Sequence, residues 1–140
     1  MSRAAKATAG GGTAASAAGC TVTVCRGCCC GQAEKNPRTD HAAQVARLHA
    51  ALPPGARLRQ SDCLDVCERS NVVVIGPSAA GRAAGARPIW LGQVNDQDAI
   101  EDVTAWITGG GPGIAPAPLM LGHHEFTPSR RNRARVEGGR

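Results

Sequence analysis

Apolar and polar positions along the chain change period several times, and each change marks an element. Thr21-Val22-Thr23-Val24 alternates β-branched residues at a period of two and reads as a strand. A turn-rich, cysteine-dense stretch follows, through Gly31 and Pro37. Asp40 then reads as the N-cap of a helix whose apolar stripe is Ala43, Val45, Leu48 and Leu52, stopped by Pro53-Pro54-Gly55. Leu58 centres a weak second strand over 56–60. Val72-Val73-Val74-Ile75 is a continuous apolar run of strand length before Gly76-Pro77, the pattern of a strand buried on both faces. Residues 78–87 read as a Gly/Ala/Arg turn. Ile89 to Val94 reads as a further strand, with Pro88 at its first position, where a missing N–H is tolerated. Asp96 or Asp98 finally caps a helix with Ile100, Val103 and Ile107 on one face, Trp106 near its end and Gly109 as its stop. Both tryptophans fall in these apolar segments and are expected in the core.

The resulting order is β-α-β-β-β-α: one parallel crossover, an antiparallel hairpin and a closing helix. It predicts an α/β sandwich of thioredoxin type, with a mixed four-stranded sheet, two helices and flexible tails. The length of 140 residues suits one domain. Val, Ile, Leu and Phe number 23, about a sixth of the chain, and 18 of them fall within 20–107. That window holds nine basic and nine acidic side chains, so the net charge of +5 divides into +2 before it and +3 after it. The boundaries expected from this are a disordered N-terminal extension over 1–19, a domain over 20–113 and a flexible basic tail over 114–140. The tail's Arg130, Arg131, Arg133 and Arg135 have no interleaved aromatics to stack on bases, which argues against nucleic acid. No stretch approaches the ~20 consecutive apolar residues of a membrane span. No export signal is apparent either, so a cytoplasmic protein is expected.

A core so thin directs attention to the seven cysteines. Cys25-Arg26-Gly27-Cys28-Cys29-Cys30-Gly31 follows the first strand, and Cys63-Leu64-Asp65-Val66-Cys67 precedes the buried one. In the expected topology both groups meet at one end of the sheet, while Cys20 stands apart at the start of the first strand. Structural disulfides fit poorly with an odd count and no export signal. Four thiolates around zinc are chemically reasonable, and spacing alone leaves that reading open. A dithiol redox site at Cys25-Arg26-Gly27-Cys28 would leave Cys63 and Cys67 unused, and Ser70-Asn71 stands where a thioredoxin-type enzyme carries proline. A [2Fe–2S] cluster needs four thiolates, two for each iron. Cys25-x4-Cys30, 32 intervening residues and Cys63-x3-Cys67 supply that arrangement. Gly27 and Gly31 would let the backbone pass close to a cluster and aim N–H groups at its sulfurs.

This pattern resembles the thioredoxin-like [2Fe–2S] ferredoxins, the family that includes the small subunit of bacterial NADH:quinone oxidoreductase. The phrases from Val24 to Gly31 and from Cys63 to Val74 look closest to an actinobacterial branch of small stand-alone ferredoxin-domain proteins. So do Arg87-Pro88-Ile89-Trp90-Leu91-Gly92 and the stretch from Trp106 to Gly113. The resemblance covers about residues 20–113 and implies Cys25, Cys30, Cys63 and Cys67 as cluster ligands. Cys28 and Cys29 depart from the family's small or polar residues, and either could replace Cys30. Cys20 is expected to be a buried strand residue.

With four thiolates and an oxidised core of 2+, the site would carry −2, and one electron would take it to −3. Arg26 and Arg69 would favour reduction, whereas Asp65 and Glu68 would oppose it. His41 and His49 are expected to face solvent, although His41 is near enough in sequence to the first cysteine loop to donate from behind the ligands. His123 and His124 read as surface residues. The chain has no dinucleotide fingerprint, no phosphate loop and no Ser/His/Asp grouping, so the implied role is a one-electron carrier rather than an enzyme. Its partners would be redox proteins, a reductase or a flavoprotein, and a homodimer is left open. The competing reading is a zinc-stabilised or apo interaction module.

Overall fold

The computed structural model describes residues 19–26 and 30–136. The extension over 1–18, residues 27–29 with Cys28 and Cys29, and 137–140 lie outside the described residues, as do the readings made of them.

β-Branched alternation makes β1, Thr21–Cys25, whose Val22 and Val24 point to one face while Thr23 and Cys25 point to the other. Helix α1, His41–Ala51, begins where the Asp40 carboxylate accepts the Ala43 N–H at 3.0 Å. It crosses over to β2, Arg57–Ser61, which pairs parallel with β1. β3, Val73–Gly76, then runs antiparallel on the other side of β1, and β4, Ile89–Leu91, antiparallel to β3. Between them Ser78 caps a five-residue helix α2, Ala79–Ala83. Helix α3, Gln97–Thr108, starts on Asp96, whose carboxylate accepts the Ala99 N–H at 2.8 Å, and ends at Gly109.

The sequence predicts four strands and two helices; the described residues form five strands and four helices. The fifth strand, β5 (Glu125–Phe126), pairs antiparallel with β4, giving the order β2-β1-β3-β4-β5. Two residues are too few to leave a period in the sequence. The fourth helix, α4 (Arg130–Val136), is mostly arginine on its surface and carries no apolar stripe. Residues 114–136, expected as a flexible basic tail, therefore contain β5, α4 and a 3₁₀ turn at Leu119–His123 whose Leu121 is buried. β4 stops at Leu91, short of the expected Val94. The next two N–H groups leave the ladder, Gly92 donating to the His124 carbonyl and Gln93 to that of Arg69.

α1 and α3 cover one face of the sheet. Val22, Val24, Val73, Ile75 and Leu91 pack there against Leu48, Ile100, Val103, Trp106 and Ile107. α1 buries Gln44 and Leu48, while Ala43, placed on the expected stripe, is exposed. Among the described residues, no long helix covers the opposite face. Val74 and Trp90 project there and are covered by the cysteine-bearing loops, with Phe126 and Val136 packed alongside. Sequence therefore assigns the helices to one layer, and the candidate site becomes the second.

Candidate metal centre

β1 delivers Cys25 to the edge of three elements at once. It is in register with Ser61 at the end of β2, the Arg26 N–H donates to the Ser61 carbonyl at 3.0 Å, and the Cys25 N–H donates to Val72 at the entry to β3, also at 3.0 Å. The loop leaving β1 and the loop joining β2 to β3 thus begin side by side. Cys63 lies two residues past β2, and Cys67 opens the 3₁₀ turn Cys67–Arg69 that leads towards β3. The two cysteine-bearing loops, expected from element order to meet at one end of the sheet, leave it side by side there.

Cys25 and Cys30 are both about 1% exposed and share one apolar cluster with Leu64, Val66, Val72, Val74 and Trp90. Leu64 and Val66 turn inwards and anchor the second loop, leaving Cys63 half-buried. The Cys25 thiol donates to the Asp62 carbonyl at 3.6 Å, a link between the two loops. Asp65 adopts a left-handed φ of 64°, a conformation Asp tolerates better than most residues, and its N–H donates to the Cys63 sulfur at 3.3 Å. An N–H aimed at sulfur stabilises thiolate, the form that binds metal.

Arg26 runs beneath the first loop. It donates to the carbonyls of Cys25 (2.9 Å) and His41 (3.4 Å) and to the Gln44 side-chain oxygen at 3.1 Å. Burial pulls its guanidinium below the ordinary arginine range, while negative charge on Cys30 and Cys25 pushes the other way. Arg26 is thus a cation held near both thiols. Arg69, the other expected cation, stacks its guanidinium 4.5 Å over the Phe126 ring, which meets Trp90 edge-on.

Gly31 has φ +80°, and a Cβ there would fall 2.5 Å from Arg26 Cδ, so the position requires glycine. Its N–H, expected to point at sulfur, instead donates to Asn71 Oδ1 at 2.6 Å. Asn71 opens a polar network that the sequence reading missed. Its backbone and side-chain N–H groups donate to Asn95 Oδ1, and Asn95 Nδ2 in turn donates to Asn36 Oδ1 and the Ser70 carbonyl. The peptide between Ser70 and Asn71 is cis. No periodicity announces such a network; three asparagines in loops flanking buried strands are the only signal it leaves.

The remaining candidates separate cleanly. Cys20 is fully buried on the helix side of the sheet, where its thiol donates to the Gly110 carbonyl at 3.5 Å and burial raises its pKa above the ordinary thiol value. It directly precedes β1, so about 16 Å of extended chain separates it from Cys25. His49 and His123 are exposed, and His124 Nδ1 lies 3.0 Å from the Gly92 carbonyl. A cavity of about 420 Å³ opens between the N-terminal ends of α1 and α3, lined by Arg38, Asp40, Arg47 and Asp96, and no described cysteine lines it.

Among the described residues, no group of three or more Cys, His, Asp or Glu side chains lies close enough to hold one metal ion. Of the four expected ligands, Cys25, Cys30 and Cys63 are described with their side chains and Cys67 by its backbone. The donor set nevertheless suits a thiophilic metal group. Soft sulfur donors project from two adjoining loops, a backbone N–H is directed at one of them, and a cation lies beneath. The Trp90 indole N–H is also buried without a hydrogen-bond partner among the described residues, in the same cluster as Cys25 and Cys30. No family model matches the chain, and neither does any curated protein or solved structure.

Proposed function

We propose that the protein is a thioredoxin-like [2Fe–2S] protein that carries single electrons between redox partners, with Cys25, Cys30, Cys63 and Cys67 as ligands. The observation carrying this reading is the convergence of the two cysteine-bearing loops beside Cys25, with the Asp65 N–H directed at the Cys63 sulfur. The sheet order β2-β1-β3-β4, with β1 and β2 parallel, β3 and β4 antiparallel, and α1 and α3 on one face, supports the thioredoxin likeness. When bound, such a cluster accepts one electron from a reduced donor such as a flavoprotein and yields it to an oxidised acceptor, with no bond made or broken in the protein.

The chain's own residues supply containment and charge. Leu64, Val66 and Trp90 exclude water from the sulfur side. The Asp65 N–H stabilises negative sulfur, and the unpartnered Trp90 N–H is a second donor in the same cluster. Arg26 offsets part of the added charge on reduction. None of these roles calls for a catalysed reaction, which fits a carrier rather than an enzyme. Thiolate ligation suits the cytoplasm, where cysteines stay reduced.

Anaerobic purification followed by visible spectroscopy and iron and sulfide analysis tests the reading. The expected result is a coloured protein with about two irons and two acid-labile sulfides per chain. Serine replacement of Cys25, Cys30, Cys63 or Cys67 should abolish or alter the spectrum, and Cys20→Ser should retain it. A colourless protein with stoichiometric zinc and no sulfide would establish the structural zinc module instead. Loss in Cys28→Ser with retention in Cys30→Ser would move the first-loop assignment to Cys28.

A further inference from the structure

The arginine-rich helix α4 lies against the second cysteine loop rather than in solvent. Ser129 and Asn132 cap each other, the Asn132 N–H donating to Ser129 Oγ and the Ser129 N–H to Asn132 Oδ1, both at 3.0 Å. Asn132 is 8% exposed, and its Nδ2 donates to the Leu64 carbonyl at 3.0 Å and to that of Asp65 at 3.5 Å. Arg135 donates to the Cys63 carbonyl at 3.4 Å and pairs with the Asp65 carboxylate at 3.1 Å, with Arg131 3.9 Å from the same carboxylate. Three consecutive carbonyls, at 63, 64 and 65, thus take donors from one helix across some seventy residues of sequence. Val136 packs against the cluster containing Cys25 and Cys30.

A seven-residue helix has little stability of its own, so these contacts must hold it in place. They act equally on the loop. Asp65 is the residue whose left-handed backbone turns its N–H towards the Cys63 sulfur, and α4 grips it by carbonyl and carboxylate together. The charge balance points the same way. Asp62, Asp65 and Glu68 share one loop with Cys63 and Cys67, and Arg135 pairs with the Asp65 carboxylate among these acids.

We infer that α4 is a clamp on the metal-binding loop, with Asn132 positioning the Cys63–Asp65 backbone and Arg135 supplying the countercharge that makes reduction easier. This rests on the [2Fe–2S] reading for its redox part alone; the clamp itself does not require a cluster.

Two readouts on the full chain separate the parts. In Asn132→Ala, amide hydrogen exchange across residues 62–68 should accelerate about tenfold or more, in loaded and metal-free protein alike. In Arg135→Gln, one-electron reduction of the loaded protein should become about tenfold less favourable, a fall of about 59 mV for a one-electron couple. Arg135→Lys should recover most of that shift. Arg133→Gln, the same charge change on the same helix without a side-chain bond to the loop, should move it less than about threefold. Unchanged exchange in Asn132→Ala would overturn the clamp, and equal shifts in Arg135→Gln and Arg133→Gln would overturn the positioned countercharge. A parent protein that takes up no cluster would instead refute the proposed function, while the exchange measurement would still judge the clamp.

Discussion

His41 shows how one side chain can report on the protein's charge arrangement. It occupies the first position of α1, its Nε2 is buried without a hydrogen-bond partner among the described residues, and the Arg26 guanidinium bonds its carbonyl. Desolvation first and Arg26 second depress its pKa, and Asp40 opposes them only in part. The folded protein therefore resists protonating His41 at a pH where the unfolded chain, with an ordinary imidazole near 6.5, already binds the proton. Above about pH 6.5 both states are neutral and the contribution is complete. Below it the unfolded state binds more protons, and stability falls as pH drops towards the folded pKa. Urea midpoints measured from pH 7.5 to 5 should decline, and the decline should be shallower in His41→Gln. Parallel slopes for the two proteins would show that His41 takes no part. Sequence alone points His41 to solvent or to a place behind the ligands, because nothing in its sequence neighbourhood announces that Arg26 folds back beneath it.

At the scale of elements, sequence pattern located what is governed by local rules and missed what is governed by tertiary partners. The Asp40 and Asp96 caps, the doubly buried β3 and the helix carrying Ile100, Val103 and Ile107 follow from capping and periodicity, and all four are present. One position of the α1 stripe differs: Gln44 is buried in place of Ala43, while Leu48 is buried and Leu52 packs on the core as expected. A polar residue on an inward face looks like an error until its partners are known. Gln44 Nε2 donates to the Val94 carbonyl at 2.8 Å while its oxygen accepts from Arg26 at 3.1 Å. The convergence of the cysteine loops was legible because parallel β1–α1–β2 connectivity forces it. The second grip on that loop was not, since α4 consists of arginines whose role depends on an aspartate far away in sequence. Removing the Gln44 amide should cost more than its apolar atoms suggest. Gln44→Ala leaves a buried carbonyl unpaired and Arg26 short of an acceptor, a loss of about 1–3 kcal/mol by chemical denaturation. Ala43→Ser, one residue away on the exposed side, should stay within about 0.5 kcal/mol.

Across the whole molecule the two faces of the sheet are stabilised by different means. One is sealed by α1 and α3 with branched aliphatics and the buried Cys20. Among the described residues, the other is covered by the cysteine loops, Phe126 and Val136 over Val74 and Trp90, so loop order and burial there depend on each other. A metal group tying the two loops would add a link between them, and its binding energy would count directly towards folding. The two tryptophans report on the two layers separately. Trp106 is fixed on the helix side by an indole N–H donated to the Ala115 carbonyl at 2.9 Å, whereas the Trp90 indole lies under the loops without such a partner. With 5-fluorotryptophan incorporated, fluorine NMR should give one resonance for each. Stripping metal from the as-isolated protein should move and broaden the Trp90 resonance, leave that of Trp106 nearly fixed, and lower the thermal midpoint by at least about 4 °C, the shift produced by about 1 kcal/mol in a domain near this size. If both resonances move together, the layers are a single cooperative unit and the helix-side core is not independent. If neither moves, the loops hold their cover over Trp90 without any metal.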